Sequence, residues 1–224
     1  MAAVRPVEAP TPAAPKPLPS GTPVYRLANG ETDRFRQALY YQRTGDFENA
    51  LVQYKAVLEV NEMNAEAHNN LGLLYQDKGL MEEAIREFRR AAAIDATYTK
   101  ARNNLGVALL KTGSVDAAAQ EFRWLMGQEP RNVEAMTNLA AALRSSGRIE
   151  ETRELLQRAL SISPRHATAH YNLALVLEES GDIIKAIEHY ESFLSFGGGE
   201  QAAMAPDVRG RVMNLQKRLQ RLQQ

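Results

Sequence analysis

The chain has 224 residues, with 27 basic and 27 acidic side chains, 44% hydrophobic residues and no cysteine. That balance is typical of a soluble protein and argues against general nucleic-acid affinity, which requires a cationic excess. The missing cysteine excludes a disulfide framework and a cysteine metal site, and leaves the redox compartment open.

The first 23 residues hold seven of the ten prolines. Such a composition cannot bury a core and favours extended, solvated conformations, so residues 1–30 read as a disordered Pro/Ala-rich arm and lead-in. The arm lacks the apolar centre of a secretion signal, and no run of about 18 apolar residues follows anywhere in the chain. A Pro/Ala arm can tether a domain to a neighbour outside this chain, such as a membrane anchor, or be a native flexible end; the sequence leaves both open.

From Glu31 the chain repeats itself every 34 residues without insertion or deletion, giving five copies: 31–64, 65–98, 99–132, 133–166 and 167–200. A fixed period of this length signals a helical repeat array. The fifteenth column is Gly45, Gly79, Gly113, Gly147 and Gly181, which predicts a glycine ending a helix in the left-handed conformation. Small residues flank each turn, at Ala38, Gly72, Gly106, Ala140 and Ala174 on one side and Ala50, Ala84, Ala118, Thr152 and Ala186 on the other. Two helix backbones can therefore approach closely. Larger apolar groups, such as Leu71, Leu105, Leu139 and Leu173, or Tyr54, Phe88, Phe122, Leu156 and Tyr190, fall on one stripe of each helix, as an antiparallel hairpin requires. Pro130 and Pro164 stop the second helix in two copies.

These columns (Leu-Gly, Tyr, Gly, Ala, Phe, Ala, Pro) resemble the tetratricopeptide repeat, and the resemblance covers residues 31–200. It implies an all-α fold: a right-handed solenoid of five helical hairpins. Arg34 and Gln37 depart from the pattern in the first copy, as an end repeat with a wetter face would. Thr152 and Arg153, at columns otherwise small or apolar, lead us to expect the loosest hairpin to be the fourth.

After Gly197, Gly198 and Gly199, residues 201–224 read as a basic amphipathic capping helix, with Asp207 placed to cap it. Met204, Val208, Val212, Leu215, Leu219 and Leu222 form one stripe, and Arg209, Arg211, Lys217, Arg218 and Arg221 occupy the other faces. The stripe is expected to cover the fifth hairpin, since an array must cover its last apolar face; a membrane-lying segment is the alternative.

Chemistry finds little foothold. No glycine precedes a Lys-Ser or Lys-Thr pair, so no phosphate loop is present. His166 and His170 are four apart, but the first falls in a connecting turn and no third ligand is evident, so no metal site is expected. Carboxylate pairs such as Glu82 and Glu83 suit helix starts. We expect no catalytic residues, no cofactor and no enzyme activity.

What remains is surface. The family resemblance implies a concave face lined by the first helix of each hairpin, where Asn70, Asn104, Asn138 and Asn172 share one inward column and Asn69 and Asn103 add to it. An asparagine offers both donor and acceptor, so a row of them can clamp the backbone of an extended peptide whatever its sequence. The row resembles the asparagine ladder of the O-linked N-acetylglucosamine transferase superhelix; asparagines at this column also serve to satisfy the neighbouring repeat. Lys100 and Asn104 offer only fragments of the carboxylate clamp that holds chaperone tails. Trp124, the sole tryptophan, falls on the convex side, where it either anchors an interface or folds back over a turn. The expected function is a non-catalytic adaptor holding an extended protein or peptide segment, with no nucleic acid. The alternatives are a self-assembling scaffold and the substrate-recognition domain of a larger enzyme.

Overall fold

The computed structural model describes residues 30–222; the expected arm, 1–30, lies outside the described residues except for Gly30, which opens the first helix, and 223 and 224 lie outside them as well. The described residues form eleven α-helices and one 3-10 turn, and no strand occurs among them. They divide into two compact units, ending and starting at Glu62 and Met63.

The first unit contains one hairpin, α1 (Gly30–Arg43) and α2 (Phe47–Val60). Ala38, Tyr41, Ala50, Tyr54 and Val57 are buried between the two helices, and the Tyr54 hydroxyl donates to Gln42 Oε1 at 2.6 Å. The Asn61 amide donates to Glu31 Oε1 at 3.0 Å and ties the ends of the hairpin together.

The second unit contains four hairpins: α3 (Ala65–Asp77) with α4 (Met81–Ile94), α5 (Thr99–Lys111) with α6 (Val115–Gln128), α7 (Val133–Ser145) with α8 (Ile149–Ile162), and α9 (Ala167–Glu179) with α10 (Ile183–Phe196). A 3-10 turn over Gly199–Met204 leads into α11 (Ala205–Leu222).

All five hairpins turn by the same device. The turn glycines have φ between 73° and 81°, a region in which a Cβ would be strained. In the second hairpin the Gly79 amide donates to Gln76 O at 2.9 Å and the Leu80 amide to Tyr75 O at 2.9 Å, the paired bonds of a Schellman cap. The same two bonds recur at Gly45, Gly113, Gly147 and Gly181. Side chains start several helices: Asp46, Asn64, Asn132, His166 and Asp182 each accept from a backbone amide three residues on.

The close approach of the two helices is sharpest in the second and third hairpins. A Cβ on Gly72 would stand 2.6 Å from the Phe88 ring, and one on Gly106 the same distance from Phe122. Both rings are fully buried, each contributing about 1.5–3 kcal/mol by burial. Thr152 is also fully buried, and its hydroxyl donates to Arg148 O at 2.7 Å, which satisfies the one polar group that replaces alanine in that column.

Within the second unit each first helix touches the next first helix (α3 to α5, α5 to α7, α7 to α9), while the second helices bridge to the following hairpin. These contacts line up α3, α5, α7 and α9 side by side on one face of the unit, its inner face. At the far end Val208, Val212 and Leu215 of α11 are buried in one cluster with Leu177, Tyr190 and Phe193, and Leu219 packs against it. Asp207 lies inside the first turn of α11 instead of at its cap, because the preceding 3-10 turn runs straight into the helix. Met204 is 37% exposed and stands off the buried stripe. The side chain of Leu222 lies outside the description.

Candidate functional site

The inner face of the second unit begins with the asparagines, which are bonded to one another. Asn104 Nδ2 donates to Asn69 Oδ1 at 2.8 Å, and Asn138 Nδ2 donates to Asn103 Oδ1 at 3.0 Å. Each of these bonds runs from one hairpin to the one before. The Asn69 amide in turn donates to Asn70 Oδ1 at 3.2 Å, and the Asn103 amide to Glu134 Oε1 at 2.8 Å. Asn69 is buried, with carbonyl and amide both engaged.

The physical consequence is a fixed orientation. With its Nδ2 turned toward the previous hairpin, an asparagine directs its one side-chain oxygen away from that bond; among the described residues Asn104 Oδ1 and Asn138 Oδ1 accept nothing. Asn172 makes no side-chain hydrogen bond among the described residues, so its acceptor and its two N–H groups are all unused. Three positions further along each helix stand Leu73, Val107, Ala141 and Leu175, all half-buried. Lys100 is exposed at the start of α5 and Glu134 at the start of α7, so the face carries both signs of charge. The sequence reading overlooked Glu134, whose only signal was an acidic residue at the second position of the fourth copy.

A second column pair crosses the second, third and fifth hairpins. His68 Nδ1 meets Glu87 Oε2 at 2.7 Å, Arg102 Nη1 meets Glu121 Oε2 at 2.9 Å, and His170 Nδ1 meets His189 Nδ1 at 2.8 Å. His170 is buried, with Nε2 3.0 Å from Pro164 O and its ring against Phe196, while His166 accepts the Ala169 amide at the start of α9. Burial holds the His189 imidazole below its ordinary pKa, with the neighbouring His170 adding to the effect; His166 is lowered by burial as well. No group of three metal-ligating side chains is present among the described residues.

Trp124 is half-buried, against the cluster built on Phe122, Leu125 and Leu139, and the Arg102 guanidinium covers its ring at 4.1 Å. At the end of the unit Glu178 receives two donors, the Tyr190 hydroxyl at 2.6 Å and Arg211 Nη1 at 3.2 Å, which clips α11 to the last hairpin. Burial and the Glu178 carboxylate push the Tyr190 phenol well above its ordinary range.

Family models described as tetratricopeptide repeats match residues 38–79, 65–98 and 132–195. The chain is a tetratricopeptide repeat protein. No curated protein sequence matches it. Solved structures share the fold of this tetratricopeptide repeat chain. A MamA protein has a TM-score of 0.65 at 24% identity, covering 79% of this chain and 94% of its own. PilF of Pseudomonas aeruginosa has a TM-score of 0.66 at 21% identity, covering 86% and 91%. YrrB, described as a TPR protein with an unusual peptide-binding site, has a TM-score of 0.61 at 20% identity, covering 81% and 99%. Repeats of this family bind proteins or peptides and are generally non-catalytic, which gives the chain the general role of interaction adaptor or scaffold. No helix among the described residues is long and apolar enough to cross a membrane.

Proposed function

We propose that this tetratricopeptide repeat protein holds an extended segment of a partner protein along the inner face of its second unit. The reading rests on one observation: the Asn104 and Asn138 carbonyls are oriented by their bonds to Asn69 and Asn103, and Asn172 continues their column with every valence unused. Amide groups at repeat spacing suit the regularly spaced N–H and C=O groups of an extended backbone. The half-buried row of Leu73, Val107, Ala141 and Leu175 beside them suits alternate apolar side chains of the same segment. The likeness to YrrB, a fold likeness at 20% identity, is compatible with such a groove.

Asn172 provides the discriminating test, because it ties nothing together. A peptide selected from a random display library against the folded protein is titrated into wild type and Asn172→Ala. Each lost hydrogen bond should weaken binding by about 0.5–1.5 kcal/mol, with an unchanged thermal midpoint. Equal affinity in the variant removes the asparagine column from recognition. A wild-type protein that selects no peptide, yet grows in size with concentration, favours a self-assembling scaffold instead.

A further inference from the structure

α11 has two functions available to it and uses one in covering the last hairpin. Val208, Val212, Leu215 and Leu219 face inward. Around the other side, Arg209, Met213, Lys217 and Arg221 follow one another at intervals of four residues, all exposed, with Met213 52% exposed in their midst. Residues at this interval form a continuous ridge on a helix surface, here about 18 Å long at 1.5 Å per residue. Arg211, on the flank, is neutralised by Glu178 at 3.2 Å. Arg209, Lys217 and Arg221 have no ion pair or hydrogen bond among the described residues, and neither has the adjacent Arg218.

Charge is segregated along the chain in the same sense. Residues 201–224 carry five basic groups and one acidic (net +4), whereas residues 31–200 carry 19 basic and 25 acidic (net −6). An unpaired cationic ridge at the end of an acidic array selects a narrow anionic partner that can lie along α11 alone. A broad polyanion would also meet the acidic repeats and be repelled. A lipid surface would take up the apolar side of the helix, and that side is already buried under the hairpin. The lone outward methionine, an adaptable apolar contact, suits a single apolar side chain between acidic ones.

We propose that the outer face of α11 docks an acidic helical segment of a partner protein, with carboxylates spaced four residues apart meeting Arg209, Lys217 and Arg221 and an apolar residue resting on Met213. The concave inner face takes no part in this contact.

The probe is a synthetic 18-residue helical peptide with glutamates at every fourth position around one leucine, labelled for fluorescence anisotropy and titrated with the full chain in low salt. A scrambled peptide of equal charge is the control. The expected results are binding of the patterned peptide, at least tenfold loss with Arg209→Glu/Lys217→Glu/Arg221→Glu, a smaller loss with Met213→Ala, and weakening as salt rises. The replaced side chains are exposed, so the thermal melt should be unchanged; if the triple reversal does unfold, the corresponding glutamine variant takes its place, and tenfold loss is again expected. No binding, equal binding of the scrambled peptide or undiminished binding by the variants overturns the proposal. Binding to vesicles containing phosphatidylserine in place of the peptide overturns it in favour of a membrane surface.

Discussion

His170 and His189 meet nitrogen to nitrogen at 2.8 Å across the fifth hairpin, in the position where the second and third hairpins pair a base with a carboxylate. His170 Nε2 faces the Pro164 carbonyl, so it carries a proton, and the neutral pair then shares a single proton between the two Nδ1 atoms. Adding a further proton to each ring leaves two N–H groups pointed at one another. The surroundings help little: Arg165 stacks on Phe196 beside the pair, His166 is close by, and Glu188 is the acidic group that acts on His189.

A pH dependence follows, with its sign set by the lowered His189 pKa. A base whose pKa is lower folded than unfolded binds more protons when unfolded, so stability rises with pH. Stability should be full above the unfolded histidine value near 6.5 and decline as pH falls below it toward the folded value. His189→Glu removes the base whose pKa is lowered and places a carboxylate opposite His170, as in the second and third hairpins, so the variant should lose less stability than wild type on acidification from pH 7.5 to 5.5. Thermal midpoints across that range are the measurement; each kcal/mol corresponds to about 2–4 °C for a chain of this size. Parallel pH profiles would show that the pair does not titrate on folding.

The asparagine bonds predict a stability effect separate from binding. Asn104→Ala with Asn138→Ala removes the bonds to Asn69 and Asn103, and leaves the buried Asn69 carbonyl without that donor. We expect a loss of about 1–3 kcal/mol for the pair in denaturant unfolding, despite the better helix propensity of alanine. An unchanged midpoint would mean that solvent replaces both bonds at no cost.

Gly106→Ala should cost about 1–3 kcal/mol, because the added methyl would press on the buried Phe122 ring from 2.6 Å. At the same two positions the fourth hairpin carries Ala140, larger than glycine, with Leu156, smaller than phenylalanine, both fully buried. Gly106→Ala combined with Phe122→Leu should therefore be more stable than the sum of the single changes predicts, a coupling that a double-mutant cycle measures directly.

The lone tryptophan reports on its own cover. Arg102→Ala uncovers the Trp124 ring and removes the ion pair with Glu121, so the emission should shift to the red and become easier to quench with iodide. Emission identical to wild type would place the shielding in the apolar cluster beneath the ring.

The sequence alone decided the fold class, because everything that makes a helical hairpin is local. A glycine fifteen residues into each copy, small residues on both sides of it and apolar groups every three or four positions specify helix, turn and stripe without reference to distant parts of the chain. The same locality made the asparagine column and the stripe of α11 visible. Only the tertiary structure decided what the asparagines do, since Asn104 and Asn69 are 35 residues apart and their bond exists only once one hairpin stacks on the last. It likewise turned Arg102 over Trp124 and set His170 against His189, contacts made by side chains from different helices. Residue type records which groups a side chain can offer; which of those remain unused is fixed by its neighbours in space.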